Sequence, residues 1–278
     1  MFAPFRLLPP AKMVVYAILL AAAGCAPLKE VSSFALASQT TMDKAAAFDG
    51  YGHFCFCNDS AIVYNDTGQL LRSFNVDCNP DSIPDSVLRN AYNVIGAYFA
   101  ALAKLADSKT VIKTTTLNNA FAAGTYGGVT ISSTEAGIFS ALTTAAQDLL
   151  TNNYKSKKIK EVLRTYHDTV SAALTDLMDL TETFKDKVRE MAVIYKRRMD
   201  FLVNKNDPAA VRLNLVTLYR TKMVQWRQIE ADYDRRYKAL AAVRDGHEAL
   251  FKNVDNLRDE NFKKKVLGFA QNIIYLSQ

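Results

Sequence analysis

The sequence predicts a mainly α fold: an elongated helical bundle with a long antiparallel two-helix coiled-coil-like hairpin. A small disulfide-held loop or β-hairpin is expected near the N-terminus. Three observations carry this. The 278 residues include only 7 prolines and 11 glycines, which suits long helices better than a many-turned β fold. From Ile159 to Tyr195 apolar residues recur in steps of three and four, the stripe of one amphipathic helix with a near-heptad seam. A second such rhythm follows the stop signal Asn204-Lys205-Asn206-Asp207-Pro208.

The elements follow in chain order. Residues 1–24 carry Arg6 and Lys12 before the apolar run Met13 to Ala23, and the small residues Ala22-Ala23-Gly24 precede Cys25. A basic flank, a short apolar stretch and a small-residue cleavage zone make up an export signal. The run is shorter than the roughly 20 residues that a spanning helix needs. Residues 25–41 are small and polar and read as a tether, turning helical near Met42–Phe48. Residues 42–81 form a cysteine-containing segment. Within it Phe54 to Cys57, Ala61 to Tyr64 and Gln69 to Phe74 have strand propensity, and Asn65-Asp66-Thr67-Gly68 reads as a turn.

Residues 82–278 are expected to be the helical bundle. Ser82 is a candidate N-cap for a helix opened by Pro84-Asp85 and running from Ser86 to about Leu105. Its stretch Ala91–Ala103 is apolar nearly all round, as in a central bundle helix. Residues 108–133 read as a loop, and Ser133-Thr134-Glu135-Ala136 as the start of a helix to about Leu150. The hairpin spans 155–257. Its first stripe is Ile159, Leu163, Tyr166, Val170, Leu174, Leu177, Leu180, Phe184, Val188, Met191 and Tyr195. Its second is Leu215, Leu218, Trp226, Ile229, Tyr233, Tyr237, Leu240, Val243, His247, Leu250, Val254 and Leu257. Each arm would reach roughly 60–75 Å at 1.5 Å per residue. A final helix over Asn261 to Tyr275 turns Phe262, Val266, Phe269, Ile273 and Ile274 inward.

The segment Leu20-Ala21-Ala22-Ala23-Gly24-Cys25 resembles the lipobox of bacterial lipoproteins. Ala22 stands where that family usually has a larger aliphatic residue. The resemblance covers about 25 residues and implies cleavage before Cys25 and lipid attachment to its thiol. It further implies acylation of the new N-terminus and a place in the bacterial cell envelope. Ala26, rather than Asp, follows the cysteine, which in a Gram-negative host resembles the outer-membrane sorting pattern. An ordinary secretory signal is the alternative.

Cys55, Cys57 and Cys78 then remain. Export favours a disulfide, and Cys78 with Cys55 or Cys57 would close a loop of roughly 20 residues. The set His53, Cys55, Cys57 and Cys78 lacks the spacing of a common structural zinc motif. No metal and no cofactor is therefore expected.

The net charge of +6 is uneven. From Cys25 to Tyr154 it is −4, with 7 basic and 11 acidic residues; from Lys155 to Gln278 it is +8, with 25 and 17. A basic half suits an anionic surface or a solvated helical face. No metalloprotease, hydrolase-elbow or dinucleotide motif occurs. The three histidines are His53, His167 and His247. His167 and Asp168 are adjacent, which on a helix turns them apart, while His247 sits on the apolar stripe. Asp176, Asp179 and Glu182 could share a solvated face. The expected function is non-enzymatic: a lipid-tethered envelope scaffold or protein-interaction module, with a protein partner or a second copy on the hairpin and no nucleic acid. A membrane-active protein of pore-forming type and an envelope enzyme are the alternatives.

Overall fold

The structure, a computed structural model, describes residues 28–47, 62–64, 70–73, 83–111, 122–126, 129–151, 158–202 and 208–278. Cys25, Cys55, Cys57, Cys78 and His53 lie outside these residues, and so do the signal segment, Ser82 and the turn 204–207. Six helices account for most of what is described: α1 Lys29–Ala46, α2 Ile83–Ala106, α3 Ser133–Thr151, α4 Ile159–Leu202, α5 Ala209–Lys252 and α6 Glu260–Leu276. Two antiparallel two-stranded ribbons complete the fold. In one, β1 Ile62–Tyr64 pairs with β2 Leu70–Ser73, which is the hairpin expected there. In the other, β3 Gly124–Tyr126 pairs with β4 Val129–Ile131. The second ribbon corrects the expectation of a plain loop; three-residue strands are too short to announce themselves by alternation.

The tether expectation is also corrected. Residues 29–41 belong to α1, a core helix in which Phe34, Ala35 and Met42 are fully buried. The helix forms because no proline or glycine interrupts it, Glu30 suits its first turn and Lys44 its last. Its serines and threonines give a misleading polar composition. Ser38 donates to the Phe34 carbonyl at 3.0 Å, and Ser32 to the Ala103 carbonyl at 3.2 Å. Hydroxyls satisfied by backbone carbonyls enter a core at little cost. Small residues also let backbones approach. A β-carbon on Gly96 would sit 3.1 Å from the Met42 β-carbon, and one on Gly246 would meet the Phe34 ring at 2.3 Å. Glycine at 246 is therefore what lets α1 seat on α5.

α1 packs against α2, α6 and α5; α2 also meets α3 and α4, and α3 meets α4. The apolar helix α2 is the centre of this body, with Ala91, Ile95, Tyr98, Phe99 and Leu102 at 0–1% exposure. α3 starts on a capping box, one residue earlier than Ser133: Ser132 Oγ accepts from the Glu135 amide, and a Glu135 carboxylate oxygen accepts from the Ser132 amide. At α6, Asp259 accepts from the Phe262 amide at 2.9 Å.

α4 and α5 form the antiparallel hairpin, 44 residues each, or about 66 Å long. Ion pairs mark the register: Arg164 to Asp255 at 2.8 Å, Lys185 to Asp234 at 3.0 Å and Arg189 to Glu230 at 2.6 Å. The first predicted stripe is buried from Ile159 to Val188, apart from a half-buried Tyr166. Three positions differ from expectation. Leu218, on the second predicted stripe, is exposed. Tyr237 is exposed, and Arg236 takes its turn of the helix, donating to the Ala45 carbonyl at 3.1 Å. Ile274 is exposed too, because Ala270 and Ile273 occupy the inner face of α6.

Candidate functional site at the two ends of the long hairpin

The root of the hairpin lies at one end of the molecule. Here the N-terminus of α4, the C-terminus of α5, the start of α1 and the end of α2 come together. The Leu28 amide donates to the Ala106 carbonyl at 2.9 Å, and Arg164 binds Asp255. α1 runs antiparallel to α5, with Phe34 over Gly246 and Ala45 beside Arg236.

This root brings together two of the histidines singled out in the sequence. The His167 and His247 rings stack at 5.6 Å, and Phe251 stacks on His167 at 3.7 Å. His167 Nε2 lies 3.2 Å from a Glu248 carboxylate oxygen, against 4.0 Å for Asp168, so the partner is Glu248 and not the sequence neighbour. His247 Nε2 shares a hydrogen bond of 3.1 Å with the Tyr98 hydroxyl. Burial, with His167 adding to it, pushes His247 down to about 3, so its ring is neutral at ordinary pH. Burial pushes Tyr98 up. His247 is 1% exposed and Tyr98 fully buried. No substrate atom reaches either as packed, so the pair seals the body to the hairpin. Sequence reading passed over Tyr98 and Glu248. Folding the hairpin back at its turn would have placed His167 within about one helical turn of His247.

The carboxylates Asp176, Asp179 and Glu182 divide. Glu182 turns to Lys185, whose ammonium also holds Asp234. Asp176 is raised to about 6 by burial first, then by Glu135 and Asp179. Among the described residues no three His, Cys, Asp or Glu side chains converge as a metal site. No described helix is long and apolar enough to cross a membrane.

The opposite end is built differently. Beyond Val188 in α4 and before Trp226 in α5, Met199 is the one buried side chain among those described. Here the helices pack on each other: Tyr195 meets Trp226 edge-on at 4.8 Å and stacks on Tyr219 at 6.4 Å. Val193, Val211, Leu213, Leu218 and Val224 are exposed, Leu213 at 66%. On α5 Val211 and Leu218 border the seam marked by Trp226, while Leu213 and Val224 lie on the back of the helix. A two-helix arm has too few neighbours to cover such side chains.

No match marks this chain's kinship. Neither a protein-family model, nor a curated protein, nor a solved structure matches it. The geometry is left to carry the functional argument: a sealed root, and an arm that presents apolar side chains about 20–25 Å beyond the body, judged from the 14 residues of α4 past Val188.

Proposed function

We propose that this is an envelope lipoprotein, anchored by lipid on Cys25, whose non-enzymatic task is to hold a docking end at a fixed distance from its membrane. One observation carries the reading: the start of α1 and the distal end of the hairpin lie at opposite ends of the molecule. Cys25 precedes Leu28 by three residues, a reach of at most about 11 Å. The lipid would therefore emerge at the root, beside the C-terminus of α5. From there α5 runs back over its 44 residues, about 65 Å, to the other end. A helix pair locked by cross-hairpin ion pairs and a stacked histidine root is a stiff spacer. The sealed state of the Tyr98–His247 pair supports a structural role for His247. Several acyl chains on one cysteine would hold such a protein firmly.

Intact mass of the membrane-extracted protein tests this, with Cys25→Ala alongside. The expected mass is that of a chain beginning at Cys25 plus acyl groups. In Cys25→Ala the acyl mass and the membrane association are both lost. An unmodified chain that begins elsewhere would overturn the reading.

A further inference from the structure

We propose that the distal end of the hairpin docks on an anionic lipid bilayer. The proposal deepens the spacer reading and rests on it for the geometry of bridging, because the docked bilayer would then be a second one, facing the anchoring membrane.

Charge is the first argument. The described residues 196–202 and 208–222 include six basic residues (Lys196, Arg197, Arg198, Arg212, Arg220 and Lys222) against Asp200, a net +5. The chain from Cys25 onward carries +4, so everything outside this end sums to −1. The local surplus stands whatever pairs form inside the segment, such as Lys196 with Asp200 at 3.1 Å. The basic half noted in the sequence is thus concentrated at one end, about 65 Å from the root.

The apolar side chains are the second argument. Val211, Leu213 and Leu218 are exposed within the same segment, among basic residues. Aliphatic side chains that enter the headgroup boundary while Lys and Arg pair with anionic headgroups make an interfacial binding element. Long basic side chains reach headgroups while their stems cover apolar surface. A second copy of this chain is the poorer occupant, since it would bring a second +5 against the first. A purely polyanionic polymer would leave the aliphatic side chains uncovered.

The test uses the protein purified from membranes and placed in neutral phosphatidylcholine vesicles. A second, dye-labelled vesicle population is added, either neutral or with phosphatidylglycerol at about a third of its lipid. Both dye and protein are followed into the pelleted fraction, and intact mass is taken on the same preparation. Capture of the anionic population alone is expected, fading as salt rises from 0.1 to about 0.5 M as screening shortens. Each basic residue near such a surface changes partitioning roughly five-fold, so Arg197→Glu with Arg220→Glu should lower capture by at least about 100-fold. Leu213→Ser with Leu218→Ser should lower it too, with the helical circular dichroism unchanged, since these side chains are exposed.

An acylated preparation that captures no anionic vesicles overturns the docking proposal and leaves the anchor standing. An unacylated preparation that still binds anionic vesicles, sensitive to the charge reversals, overturns the anchor and leaves the docking. Equal capture of neutral vesicles, or mutual clustering of protein-bearing vesicles without anionic lipid, overturns the docking proposal; the second result would make a second copy the occupant.

Discussion

Phe34→Ala is expected to destabilise the protein by about 3–5 kcal/mol, the usual cost of emptying a fully buried phenylalanine site. Phe34 is fully buried, meets Phe99 edge-on at 5.9 Å, and lies against the bare backbone of Gly246. Three helices lose contact at once, so the cavity has little room to collapse. Urea unfolding would show this as a lower midpoint with little change in slope. In a thermal scan the loss corresponds to a fall on the order of 10 °C for a chain of this size. The result matters because α1 begins four residues after the proposed lipid site. A cost under about 1 kcal/mol would mean that α1 is only a peripheral strap, and the root would lose its rigid link to the anchor.

The buried His247 gives the protein a stability that depends on acid in a defined window. Its folded value is about 3, below the value near 6.5 of an unfolded chain. The unfolded state therefore takes up the proton first. The stability that neutral His247 contributes is complete above about pH 6.5 and is lost as pH falls toward about 3. Glu248 faces His167, while Tyr98, Phe99 and His167 surround His247; among the described residues no carboxylate is paired with His247. In His247→Phe the Tyr98 hydroxyl loses its partner, at a cost of roughly 1–3 kcal/mol near pH 7.5. The gap between wild type and variant should narrow as pH falls through the window, because the wild type alone carries this proton-linked loss. Urea midpoints measured from pH 7.5 to pH 4 would show the convergence. A constant gap would mean that His247 stays reachable by water and titrates as it does unfolded.

The hairpin was legible because steps of three and four persist over the 37 residues from Ile159 to Tyr195, and a buried seam follows from them. The final helix was legible for the same reason. α1 was not, because its burial rests on small size rather than on hydrophobicity: serine and threonine hydroxyls return to carbonyls, and alanines narrow the helix so that Phe34 and Met42 can seat. Arg236 displaced Tyr237 from the seam because the open carbonyl end of α1 needed a donor, which depends on which helix lies alongside. Ile274 drops out because the 3.6-residue period carries it about 120° round from Phe262, while Ile273 stays within about 20° of it and is buried. The histidine root needed two facts joined, the apolar position of His247 and the hairpin register that brings His167 and Glu248 beside it. The basic end was present in the composition as a lopsided charge. Only the exposure of Leu213 and its neighbours gives that charge a surface.

The spacer account is tested most directly by distance from the membrane. A donor fluorophore is placed at Leu213 in one preparation and at Lys29 in another, and energy transfer is measured to acceptor lipids in the neutral bilayer that holds the anchored protein. The account predicts strong transfer from Lys29 and little from Leu213, for a separation of about 55–60 Å between the two levels. Equal transfer from both sites would mean that the hairpin lies along its own membrane, which would contradict the spacer.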